Sequence, residues 1–262
     1  MLAFEFMRQA FLASALVGLL AGMIGWFLVL RGQSFAGHAL SHIGFAGATA
    51  ALWAGMPPLA GLLIAATAGG MGMSLNNARH GDRDIAIGLT LSLAMGCGSL
   101  FLYLLHGPAS TATALLFGNV FGINQQTLQI LAGTVLAGLI GLGTIGRPLL
   151  FASLQPELAE ARGVPVQLVS TCFMAMAGLA TAICTEVTGV LLVFTLMIGP
   201  GATALRLGLN PVTGLCTSAI LAIAEAWGGL TVSWYTDAPV SFCIAALSAA
   251  IFGLTTLSRR RG

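Results

Sequence analysis

The 262-residue chain contains no lysine. It therefore cannot form the phosphate-binding loop G-x-x-x-x-G-K-[ST], whose lysine reaches the nucleotide phosphates, and any use of ATP must draw on another polypeptide. Charge of either sign is scarce. Only 7% of the residues are Asp, Glu, Lys or Arg, against roughly a quarter in ordinary soluble domains, so no water-soluble surface can be built. Cysteines are few and scattered. Cys97, Cys172, Cys184, Cys216 and Cys243 stand singly in apolar runs without a C-x-x-C pair, which excludes a zinc knuckle and a dithiol redox motif. They read as buried free thiols. Neither G-x-S-x-G nor H-E-x-x-H occurs, which argues against an intramembrane enzyme.

What is present is apolar. Hydrophobic residues make up 57% of the chain, and uncharged stretches run from Gln9 to Leu30, Ile85 to Gly146, Gly163 to Thr185 and Val187 to Leu205. A spanning helix needs about 20 such residues, so the lipid bilayer is the solvent for most of the chain. The 35 glycines fit close helix packing in lipid. Ala10 to Leu30 is too long for a removable signal segment and has only Arg8 before it as a basic residue, so it reads as a permanent span. Splitting the runs at charges, prolines and turn-like clusters gives nine spans. They lie near 10–30, 36–54, 58–76, 85–105, 127–146, 166–184, 187–205, 212–234 and 240–257. One of them could be re-entrant and leave eight.

Arginines orient these spans, because cytoplasmic loops are enriched in them. With the Arg259-Arg260-Arg261 tail in the cytoplasm, Arg206, Arg162, Arg147, Arg83, Arg79 and Arg31 fall on the same side, and Arg8 alone does not. The stretch from His106 to Gln126 breaks the apolar pattern and reads as short interfacial helices. No long linker or low-complexity segment divides residues 1–262, which read as one all-α membrane domain. His80 and His106 read as surface residues. Asp82 and Asp84 read as partners of Arg79 and Arg83, in a basic loop too short to support nucleic-acid binding.

The longest charged interlude inside the chain, Phe151 to Val166, reads as a cytoplasmic amphipathic turn of helix. Pro156 suits a first helical turn, Glu157 and Glu160 lie near its positive end, Arg162 lies near its negative end, and Gly163 is a natural stop. Gln155 to Val166 resembles the "DPE-x-A-x-x-x-GV" segment of the permeases of zinc, manganese and iron ABC importers, with Gln155 where aspartate is usual. Leu30 to Gly47, LRGQSFAGHALSHIGFAG, is similar to that family's "LRRMSLxGDALSHAxLPG". LLFGNVFGI at Leu115 to Ile123 and TGVLLVFTLMIGPGATA at Thr188 to Ala204 match further family segments in the same order. The resemblance implies a type II ABC importer-like permease. Gln155, Pro156, Glu157, Glu160, Arg162 and Gly163 would dock a cytoplasmic ABC ATPase, an extracytoplasmic metal-binding protein would deliver the ion, and a second permease copy would complete the pair.

Ionisable residues at the centre of a membrane helix cost about 2.5 to 3.5 kcal/mol on insertion scales, so each is a functional candidate. His38 and His42 are spaced i, i+4, which places both imidazoles on one helix face. In the family motif "GDALSH" the aspartate corresponds to His38 and the histidine to His42, and both are implicated in the metal's route. Imidazole suits zinc, copper and nickel, whereas carboxylate and water suit manganese, so two histidines favour zinc as the transported ion. No permanently bound cofactor is expected. Glu186, Glu225 and Asp237 are acids that could offset a cation's lost hydration along its route. Glu186 and Asp237 could equally be solvated caps, and Glu225 a protonated acid bonded to a neighbouring helix. The resulting expectation is an inner (plasma) membrane permease that imports zinc by alternating access. The alternatives are manganese or iron as cargo, or an ion-coupled secondary metal transporter.

Overall fold

The computed structural model describes residues 4–75, 80–106 and 109–259, without the side chains of residues 80–84, 109–112 and 259. Arg79, His80, Asp82, Arg83, Asp84 and the 259–261 arginine tail therefore lie, wholly or in their side chains, outside the described residues. Every regular element among the described residues is helical. In chain order these are α1 (Glu5–Leu30), α2 (Ser34–Trp53), α3 (Pro58–Leu75), α4 (His80–Leu105), α5 (Ala109–Phe117), α6 (Gln125–Leu154), α7 (Pro156–Ala161), α8 (Val166–Thr188), α9 (Val193–Arg206), α10 (Pro211–Thr236) and α11 (Val240–Arg259), with one 3-10 turn at Val120–Gly122.

Each of the nine expected spans falls on one helix. Seven of them, α1, α3, α4, α6, α8, α10 and α11, are long and apolar enough to cross a membrane. Of the other two, α2 has the length but is less apolar, and α9 has 14 residues. At 1.5 Å per residue α9 extends about 21 Å, less than the roughly 30 Å hydrocarbon core. The interruption from His106 to Gln126 does contain short helices, α5 and the 3-10 turn. Two boundaries differ from the sequence reading. Helix α8 continues through Glu186 to Thr188 and turns at Gly189, whose φ is +79°, so α9 begins six residues later than expected. Helix α6 continues past Gly146 and through Pro148 to Leu154, so only Gln155 separates it from α7. The thiols differ as well. All five are free, but Cys172 and Cys216 are exposed and Cys97 half-buried; only Cys184 and Cys243 are buried.

By contacts the chain forms two compact units. The first comprises residues 1–34, 113–135 and 184–262. Its core is α1 packed on α9 and α10, with α11 against both of those. Glycines make the approach possible. A Cβ on Gly22 would lie 2.6 Å from the Ser218 carbonyl oxygen, and one on Gly25 would overlap the Met197 carbonyl. Close backbones of this kind replace the hydrophobic drive that lipid does not provide. Ser218 Oγ donates to the Gly22 carbonyl at 2.6 Å and Trp227 Nε1 to the Phe11 carbonyl at 3.0 Å, tying α10 to α1 at two levels. At one end of this unit, Gly118 and Gly189, both left-handed, set the turn after α5 against the turn after α8.

The second unit comprises residues 35–112 and 136–183. It repeats the device with other partners. Gly47 of α2 meets Gly61 of α3, and Gly70 of α3 meets the Met174 carbonyl of α8. Ser74 and Thr171 hydroxyls lie 3.1 Å apart, and Gln167 Nε2 donates to the Ser74 carbonyl at 2.9 Å, closing one end of the α3–α8 contact.

Candidate functional site

Helix α2 carries the two histidines because Ser34 to Trp53 holds no proline and no charge to interrupt it. His42 lies eight residues past Ser34, roughly 12 Å along the helix. It is 4% exposed, while His38 is half-buried. The i, i+4 spacing brings the ring centroids to 4.8 Å with the rings perpendicular, the edge of one against the face of the other. Rotation of one ring would let nitrogens of both converge on a shared ion. Ser41 Oγ donates to the His38 carbonyl at 2.7 Å, satisfying a buried hydroxyl within the helix.

The three acids occupy different settings. Glu225, near the middle of α10, is 1% exposed, and neither of its oxygens has a hydrogen-bond partner. Ser248 of α11 is a polar side chain close to it, beside Gly199 of α9. A Cβ on Gly199 of α9 would lie 4.0 Å from Glu225 Oε2. Glu186 is half-buried inside the last turn of α8, not a solvated cap beyond the helix. Asp237 is exposed and caps α10 in the left-handed conformation, φ 53°. It lines a cleft with Phe6, Phe121 and Trp234. Among the described residues no three His, Cys, Asp or Glu side chains gather into a metal-ligand set. The histidine pair is thus the grouping that the structure does form. His106 is exposed, also left-handed, with Nδ1 2.9 Å from the Leu104 carbonyl oxygen. Ser248 had no signal in the sequence, because a serine in an apolar helix carries no mark of what it faces.

The segment around α7 forms an exposed knob. Gln155 precedes the helix, Pro156 opens it, and Glu157 lies in its first turn. Gly163, φ +79°, donates to the Glu160 carbonyl and Val164 to the Ala159 carbonyl, which together close the helix as a Schellman motif. Ala159 is buried beneath the helix; Gln155, Pro156, Glu157, Leu158, Glu160, Arg162 and Gly163 are exposed. Leu154 and Leu158 are 58% and 45% exposed, so the knob offers apolar surface as well as the carboxylates of Glu157 and Glu160.

Long glycine-packed helices, few charges and a histidine pair within one helix define a polytopic membrane permease. The model of the ABC 3 transport family matches residues 3–259, and the chain belongs to that family, as a transport subunit and not an enzyme. The "Manganese transport system membrane protein MntC" of Halalkalibacterium halodurans is 30% identical over 256 residues, spanning 97% of this chain and 87% of the relative. The "Probable iron transport system membrane protein" of Haemophilus influenzae is 29% identical over 255 residues, spanning 96% of this chain and 93% of the relative. The structure titled "PsaBC from Streptococcus pneumoniae in complex with Fab" superposes with a TM-score of 0.85, covering 96% of this chain and 91% of its own, at 24% identity. That last likeness is one of fold.

Proposed function

We propose that this chain is the membrane-spanning permease of an ATP-driven importer of manganese or iron in the plasma membrane, with His38 and His42 as the ion's way station. The observation that carries this reading is the pair of adjacent imidazoles within α2, in a chain whose relatives are named for manganese and iron transport. Those names weigh against zinc, which rested on ligand type alone. Imidazole also binds iron(II), so a two-histidine station suits iron on both counts. Glu186 and Asp237, at the ends of their helices, supply negative charge near the mouth. Among the described residues Glu225 joins no group of three metal ligands, and it is left out of this path. The α7 knob, from Gln155 to Gly163, is read as the seat of a cytoplasmic ABC ATPase. An extracytoplasmic metal-binding protein and a second permease copy complete the assembly.

The test is uptake of manganese(II), iron(II) and zinc(II) into liposomes holding the chain with its ATPase and binding protein. Removing an outer-shell partner of a metal ligand already costs about 10- to 100-fold, so His42→Ala should lower uptake of the favoured ion by at least roughly tenfold. Unchanged uptake would overturn the histidine station. Zinc transported in strong preference to both other ions would overturn the choice of cargo.

A further inference from the structure

The first unit holds a carboxyl group that the metal path does not use. Glu225 is 1% exposed with both oxygens unpartnered, and the helices packed on α10 are α1, α9 and α11. Their ionisable groups are Glu5 and Arg8 at the start of α1, Arg206 at the end of α9, and Cys243 and Arg259 in α11; α10 itself adds Cys216, Tyr235 and the capping Asp237. Arg206 is engaged elsewhere, its guanidinium 4.4 Å from the centre of the Phe252 ring and donating to Thr256 Oγ1. Among the described residues, neither Glu225 oxygen is paired with a cation of these helices. A charged carboxylate in that position would lack compensation, at a cost of several kcal/mol. A proton removes the charge and needs no added space, whereas a metal ion would need further ligands that the site does not gather.

Space for water lies between one and two helical turns along α10 from Glu225. A cavity of about 210 Å³ is walled by Leu230 and Ile244, with Ser14, Asn119, Thr188 and Ser241 among its other lining residues. Leu230 is five residues beyond Glu225 and Ile244 four before Ser248, or roughly 6 to 8 Å at 1.5 Å per residue. The register of the α10–α11 hairpin is fixed there, since Gly229 lies against Ile244 and Gly228 against Leu247. Ser14, Thr188 and Ser241 donate to the carbonyls of Phe11, Cys184 and Phe117, which leaves their oxygen lone pairs to accept from water. A space of this size with polar walls can hold several waters.

We propose that Glu225 is a proton-binding site, supplied by water in this cavity across the Leu230–Ile244 wall. A hydronium ion that passes from the cavity between Leu230 and Ile244 to hydrogen-bonding distance of Glu225 gives its proton to a carboxylate oxygen and leaves as water; release is the reverse. Loss of the proton places a negative charge where α10, Gly199 of α9 and Ser248 of α11 meet, so the packing of these three helices depends on proton occupancy. This goes beyond the metal reading and does not depend on which ion is carried.

The test is infrared spectroscopy of the full chain in lipid, with no transport assay involved. A carboxylic-acid C=O band present in the wild type should be absent in Glu225→Gln. It should change frequency in Ser248→Ala, shift when water is replaced by D2O, and exchange severalfold more slowly in Leu230→Phe. If Glu225→Gln does not fold, Glu225→Asp, which moves the same band, takes its place. The proposal is overturned if no such band responds to the Glu225 substitutions, or if the band neither moves in Ser248→Ala nor exchanges in D2O.

Discussion

At the residue scale, the proposed function turns on two adjacent imidazoles in α2. His42 is nearly fully buried beside His38, and position 38 carries the departure from the family motif. Replacing that imidazole by a carboxylate restores a hard oxygen ligand, which suits manganese better than nitrogen does. His38→Asp should therefore raise the ratio of manganese to iron uptake, measured in the same liposomes with both ions present; an unchanged ratio would mean that position 38 does not contact the ion. The pair was legible in the sequence because i, i+4 spacing survives translation into a helix without knowledge of the fold. Glu225 was legible as an anomaly, but its meaning was not. That depended on which residues of α9 and α11 face it, and Gly199 and Ser248 are separated from it by 26 and 23 positions respectively.

At the element scale, close helix approach is what the glycines provide, and the same substitution should act oppositely at two of them. A Cβ at Gly22 of α1 would lie 2.6 Å from the Ser218 carbonyl oxygen, while one at Gly253 of α11 meets nothing within 4 Å. Gly22→Ala should destabilise by about 1 to 3 kcal/mol through overpacking. Gly253→Ala should stabilise by up to about 1 kcal/mol through helix propensity. Thermal unfolding in detergent reads both, and equal shifts would show that the α1–α10 contact is not as close as described. Helix positions were readable from the apolar runs, but the α8–α9 junction was not. Only the facing left-handed Gly118 and Gly189 show why α8 runs on to Thr188 and why the chain turns there. At α7 the proline start and glycine stop were readable, because each works within a few residues of its own backbone. The exposed face of that helix gives a further expectation. Reversing charge in a Glu157→Arg, Glu160→Arg double variant should sharply reduce co-purification of the ATPase without altering thermal stability, since both side chains are exposed and bear no packing. Retained ATPase would remove α7 as the seat.

For the whole molecule, the absence of lysine and the exposed α7 knob bear on the same question. This chain cannot build the phosphate loop that ATP chemistry needs, so under the proposed function the force for transport enters from another subunit, with α7 as its proposed seat. If two ATPases act on two permease copies, each copy contributes one knob and both must be pushed for the importer to switch. Mixed assemblies test this directly. One copy would carry wild-type α7 and the other the Glu157→Arg, Glu160→Arg change, with different affinity tags so that only mixed pairs are purified. If both knobs are required, mixed pairs should import metal little better than doubly altered ones. If each copy works with its own ATPase, they should retain about half of wild-type uptake, the simple sum of independent sites. Recovery of only singly tagged material would show that the permease does not pair at all.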